Sequence, residues 1–99
     1  MSKYRKSARL QDCQVRIPGV CSHDPETVVL AHLGGHLAGA GMSTKGPDIH
    51  AAFCCAKCHD VIDGRVPAYG YSREALRLMH LEGVIRTQRI WIQDGLLKP

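Results

Sequence analysis

The stretch CCAKCHDVID, residues 54–63, gathers three cysteines, a histidine and two acids into ten positions. Thiolates and imidazoles bind zinc, and an imidazole beside a carboxylate can hold a hard divalent cation or move a proton. Cys55 and Cys58 form a Cys-x-x-Cys pair whose short gap lets both sulfurs reach one ion. Cys13 and Cys21, with seven residues between them across Pro18-Gly19, supply a second pair. Together the two pairs complete the tetrahedron that a structural zinc prefers. Cys54 does not keep the two-residue gap to Cys58 and reads as a small buried hydrophobe. A thioredoxin-like dithiol shares the spacing but belongs beside a βαβ pattern, which this chain lacks.

His59 follows Cys58 directly, so a metal-fixed first helical turn would aim it at a defined place. Asp63 lies one turn on and shares its face, and such a pair can approach one Mg²⁺ or Mn²⁺. Alone, the same pair reads equally as a surface histidine with an acidic i,i+4 neighbour. His32 closes the apolar run TVVLAHL. His23, His36 and His80 are tied to no other ligand by spacing and read as structural or surface residues.

The elements that must position these groups follow from pattern. Residues 1–11 form a basic arm with a short helical stretch around 6–10. CQVRIPGVC alternates at Val15 and Ile17 and predicts a short strand ending at Pro18-Gly19. TVVLAHL predicts a buried strand ending near His32, and IHAAF, residues 49–53, a returning one. Between them, residues 34–48 hold five glycines and a proline, the composition of a long loop. Residues 56–64 suit a short helix closed by Gly64 and Pro67, which carries Cys58, His59 and Asp63. Ser72 can cap a C-terminal helix over 72–94, with Gly95 as its stop. Gly83 allows a kink there, and Leu78, Leu81, Ile85 and Ile92 recur at helical spacing as its core face. The order is three strands, a short helix and a long one, an α+β class in one domain over 1–99.

At 99 residues the chain buries too little apolar surface to be generously stable without a cross-link. An odd number of cysteines and the absence of an apolar leader favour metal ligation in a reduced compartment, so a cytoplasmic location is expected, with no membrane segment. Net charge is +4. It concentrates in Lys3, Arg5, Lys6, Arg9 and Arg16, and again in Arg73, Arg77, Arg86 and Arg89. Such groups suit an anionic partner, although solvated surface charge is the plain alternative. Only five aromatics (Tyr4, Phe53, Tyr69, Tyr71, Trp91) are present, too few for a base-stacking platform, so phosphate contact is expected over base readout.

The order "LAH", then "CxxCH" on a helix, resembles HNH, or His-Me finger, nucleases. The segments CQVRIPGVC, PET, LAH, PD, CHD and RTQRIW resemble the YbcO-like family of small phage and prophage nucleases over nearly the whole chain. This resemblance implies a ββα-metal core with His32 as general base on the first strand and His59 as ligand of a catalytic Mg²⁺ or Mn²⁺. It also implies a zinc knuckle of Cys13, Cys21, Cys55 and Cys58. The chain departs from the HNH pattern at Ala31, where an acid or histidine often adds a metal ligand, leaving Asp63 or Asp60 for that role. The middle asparagine is replaced by Asp48 or His50, and Asp48 is preferred as the residue orienting His32. The function expected is a metal-dependent DNA endonuclease that acts in phage DNA processing or recombination, encoded by a phage or prophage. Arg5, Lys6, Arg9, Arg73 and Arg77 would hold phosphates. A zinc-stapled nucleic-acid-binding module is the alternative. An adaptor that docks through the long helix would need an exposed apolar stripe.

Overall fold

The computed structural model describes residues 2–34 and 47–99. His36 and most of the expected glycine-rich loop lie outside them. The N-terminal arm is anchored by a helix, α1, over Lys3–Ser7. It starts three residues before the expected stretch because the Ser2 hydroxyl accepts from the Arg5 N–H and caps it. Tyr4 packs on Trp91 with ring centroids 4.7 Å apart, and the Trp91 indole N–H donates to the Ser7 hydroxyl at 2.7 Å. Ala8 is buried, while Arg5, Lys6 and Arg9 point outward.

The Cys13–Cys21 segment is not a strand. Arg16 has φ +54°, which breaks the extended path that the alternating Val15 and Ile17 suggested. Both apolar residues still reach the core, and the Arg16 guanidinium folds back onto the Cys13 carbonyl. A tight turn with Gly19 at φ +77° then returns the chain, with the Cys21 N–H donating to the Ile17 carbonyl.

After a single 3-10 turn at Pro25–Thr27, capped by Asp24, strand β1 runs over Val29–His32. It pairs antiparallel with β2, Ala51–Cys54, in the register Val29↔Cys54 to His32↔Ala51. These are the two strands of the sheet among the described residues, where three were expected. Ile49 and His50 fall in a second 3-10 turn, Asp48–His50, rather than in β2. β2 is buried throughout and its outer edge is satisfied by neighbours. The Phe53 carbonyl accepts from the Gln14 N–H at 2.7 Å, and the Phe53 N–H donates to the Thr87 hydroxyl at 3.0 Å.

Helix α2, Ala56–Ile62, is followed by Gly64 at φ +78°. Helix α3 spans Arg73–Gln93, with the Ser72 hydroxyl accepting from the Ala75 N–H and Gly95 at φ +78° past its end. It runs unbroken through Gly83, so two shorter helices do not occur. A Cβ at Gly83 would lie 3.0 Å from Val15 Cγ2 and 3.1 Å from the Gln14 carbonyl oxygen. The glycine is therefore the place where the Cys13–Cys21 segment presses onto the helix.

The face that α3 turns inward is not the one its apolar spacing indicated. Leu76, His80, Gly83, Val84, Thr87 and Trp91 are buried, whereas Leu78 and Ile85 are each 59 % exposed and Ile92 39 %. Leu81 is half-buried. The strands and the cysteine segment need a close approach at Gly83, a hydroxyl at Thr87 and a ring N–H at His80, which donates to the Ala31 carbonyl at 2.8 Å. Partner geometry selects this face over raw apolarity.

Two outcomes follow from this packing. Gly83→Ala gains helix propensity of about 1 kcal/mol but strikes backbone on the opposing segment, an overpacking cost of about 1–3 kcal/mol. Its urea midpoint is expected below that of the parent, and a higher midpoint would refute the contact. Burial pushes the His80 pKa down. As pH falls below about 6.5 the unfolded chain takes up a proton that the folded one refuses, so stability drops by at most about 1.4 kcal/mol per pH unit. His80→Gln lacks this slope, so the stability gap between parent and variant should narrow between neutral pH and pH 5.5 in urea titrations.

Candidate active site and cysteine cluster

The sulfurs of Cys13, Cys21, Cys55 and Cys58 all lie within 4.8 Å of one another, three of the residues being buried and Cys21 half-buried. No disulfide links them. The Cys55 and Cys21 sulfurs are 3.8 Å apart, roughly the edge of a tetrahedron with 2.3 Å zinc–sulfur bonds. The local fold explains the gathering. Cys55 leaves the end of β2 and caps α2, its sulfur accepting from the Cys58 N–H, while the Gly19 turn brings Cys13 and Cys21 to the same point. Burial pushes the Cys21 thiol up to about 11. Thiol hydrogen bonds from Cys54 and Cys58 press Cys13 far below the thiol range, and their bonds to Cys13 raise Cys54 and Cys58. A dication would replace the remaining protons and satisfy all four sulfurs, so this set could hold a metal such as zinc. Cys54 is fully buried, donates to the Cys55 carbonyl and stands outside the mutually close set.

His32 stands at the end of β1, its side chain 8 % exposed. Its Nε2 lies 2.7 Å from an Asp48 carboxylate oxygen. Hydrogen bonds from the Ser2 hydroxyl and from His32 hold Asp48 below the usual carboxylate range, with the Arg5 guanidinium 3.6 Å away adding to this. An ionised carboxylate only accepts, so Nε2 carries the proton and, in the neutral ring, Nδ1 carries the lone pair. Such a ring can take a proton at Nδ1 while its charge is stabilised through Nε2. The frame around the pair is built by α3. His80 holds the Ala31 carbonyl beside His32, and the Gln88 amide donates to the Ile49 carbonyl beside Asp48 at 2.6 Å. His50, the other residue considered for orienting His32, has a buried Nδ1 with no partner among the described residues.

His59 and Asp63 approach as their spacing implied, Nε2 to carboxylate at 3.1 Å. Arg65 reaches both Asp60 and Asp63 at 3.4 Å. Among the described residues the four cysteines alone form a set of three or more close metal donors. His59 and Asp63 thus form a bonded pair with no third metal donor close by among the described residues.

A cleft of about 730 Å³ opens between α1 and β1 and is lined by Arg5, Lys6, Ala8, Arg9, Glu26, Val28, Val29, Leu30 and His32. Three of the four basic residues of the arm, Arg5, Lys6 and Arg9, share this one space with His32. Arg73 and Arg77 are exposed on α3 and do not line it. Arg86 donates to the Gln14 carbonyl at 2.8 Å and so fastens the Cys13–Cys21 segment rather than facing a ligand. Sequence reasoning missed Ser2, Arg65 and Gln88, whose partners are set by tertiary contact, while His80, read as structural or surface, is buried on the Ala31 carbonyl. Arg5 was expected to contact phosphate, but its place beside Asp48 had no signal in spacing.

No helix among the described residues is long and apolar enough to cross a membrane. The family model described as "Putative nuclease YbcO" matches residues 2–96. Two relatives are each 48 % identical over 101 residues, covering 99 % of this chain and 99 % of their own length. They are "Putative nuclease YbcO" of Escherichia coli K12 and "Putative nuclease ybcO" of Enterobacteria phage 82. A solved structure described as a bacteriophage protein from Escherichia coli K-12 superposes with a TM-score of 0.75 at 42 % identity, covering 94 % of this chain and all of that one. A match across nearly the whole length, at this identity and with the same fold, places the chain in the YbcO family of phage and prophage proteins, for which a nuclease-like function is supported.

Proposed function

We propose that this chain is a metal-dependent DNA endonuclease of the HNH, or His-Me finger, type, with β1, β2 and α2 as its ββα-metal core and residues 1–99 as one domain. The observation that carries the reading is His32, oriented by Asp48 and opening into a cleft rimmed by Arg5, Lys6 and Arg9. These cations hold the phosphate backbone and set its register, with Arg73 and Arg77 extending the contact along α3. His32 Nδ1 accepts the proton of the attacking water, and the Asp48 carboxylate steadies the imidazolium through Nε2. His59 and Asp63 would bind Mg²⁺ or Mn²⁺, which neutralises charge on the phosphate and the leaving oxygen. Zn²⁺ at the four cysteines is structural. The relative from a phage supports a phage setting, and the action proposed there is on DNA, in the host cytoplasm, during phage DNA processing or recombination. A second reading, a zinc-stapled binding module, draws on Ala31, which adds no acid beside His32, and on Arg65, which engages both acids near His59.

Supercoiled plasmid incubated with Mg²⁺ or Mn²⁺ should be nicked or linearised, and EDTA should stop it. His32→Ala should lose about 10²–10⁴-fold in rate at any metal concentration, because no cation replaces the missing proton acceptor. His59→Ala should lose activity that high metal partly restores. A parent protein that binds DNA but never cuts it would leave the binding module as the answer. Metal analysis should find one zinc per chain, kept in Cys54→Ser and lost with the fold's stability in Cys55→Ser. Full zinc in Cys55→Ser would sink the ligand set.

A further inference from the structure

Helix α3 carries an apolar stripe on the face turned away from the core. Leu78, Ile85 and Ile92 are exposed there, seven residues apart, with half-buried Leu81 at the edge. Seven residues are close to two full turns, so the three side chains line up about 10 Å apart along the axis. Such a row is the seam into which a second helix packs.

Charge identifies the occupant and its direction. Glu82 and Arg89 flank the stripe on one side, both exposed and, among the described residues, in no ion pair. Two α3 helices laid antiparallel, with a dyad at Ile85, set Leu78 against the partner's Ile92. The same placement sets Glu82 near the partner's Arg89, and symmetry repeats both contacts. A parallel two-fold pair would instead set Glu82 and Arg89 across from the partner's Leu81 and the partner's Gln88, with no opposite charge to meet. We propose that a second copy of this chain docks antiparallel on the Leu78–Ile85–Ile92 stripe to form a two-fold dimer. The seam is about 20 Å long, small beside a standard interface, so the dimer is concentration-dependent. Association of this kind is independent of whether the chain cuts DNA.

Sedimentation of the whole zinc-loaded protein over a concentration series tests it. The mass should rise from one chain to two. Glu82→Arg and Arg89→Glu should each weaken dimerisation about tenfold or more, and the double variant carrying both should restore it. Ile85→Arg should remain monomeric with unchanged far-UV circular dichroism, since the site is exposed. A parent that stays monomeric at every concentration overturns the proposal. Equally decisive against it are single charge variants that associate like the parent, or a double variant that fails to recover.

Discussion

Four sulfurs drawn within 4.8 Å of one another are the constraint around which the rest of this molecule is arranged. Cys55 is at once a member of that set, the residue after β2 and the cap of α2, so one atom relates the strand to the helix. His59 lies one residue beyond the set, and its direction is inherited from it. On the opposite side, Cys13 and Cys21 bring with them Gln14 and Val15, which satisfy the edge of β2 and press against Gly83 of α3. A chain too short for a large core thus obtains rigidity from a point of convergence.

Helix α3 then acts as a frame. Its inward face is unusually polar, and each polar group meets a backbone group that would otherwise be buried without a partner. Thr87 takes the Phe53 N–H, Arg86 the Gln14 carbonyl, His80 the Ala31 carbonyl and Gln88 the Ile49 carbonyl. Ala31 precedes His32 and Ile49 follows Asp48. The histidine and the carboxylate facing it are therefore held from one rigid element, although sixteen positions separate them in the chain.

Features governed by short-range rules were legible in the sequence. The Cys-x-x-Cys gap, the Ser72 cap and the Gly95 stop each state a local geometry, and the bounds of α3 and the gathering of four cysteines followed from them. Patterns that two structures share were misread. Alternation at Val15 and Ile17 suits a strand, but also a bent segment whose Arg16 turns left-handed. Leucine and isoleucine at helical spacing mark a buried face only when the neighbours want apolar surface, and here they wanted Gly83, Thr87 and His80. The approach of Asp48 to His32 was anticipated through family resemblance, whereas the arrival of Ser2 and Arg5 at that carboxylate depends on the path of the whole chain.

The clasp between the two ends of the chain bears on the order in which the molecule can be completed. Tyr4 rests on Trp91, Trp91 donates to Ser7, and the Tyr4 hydroxyl donates to the Leu96 carbonyl. The cysteines lie between residues 13 and 58 and leave the ribosome well before Trp91 does. During synthesis the first helix must wait, with its aromatic face uncovered, until the last one emerges. The sulfur cluster can close on the nascent chain, whereas the cleft wall formed by α1 assembles only after Trp91 and Leu96 have emerged.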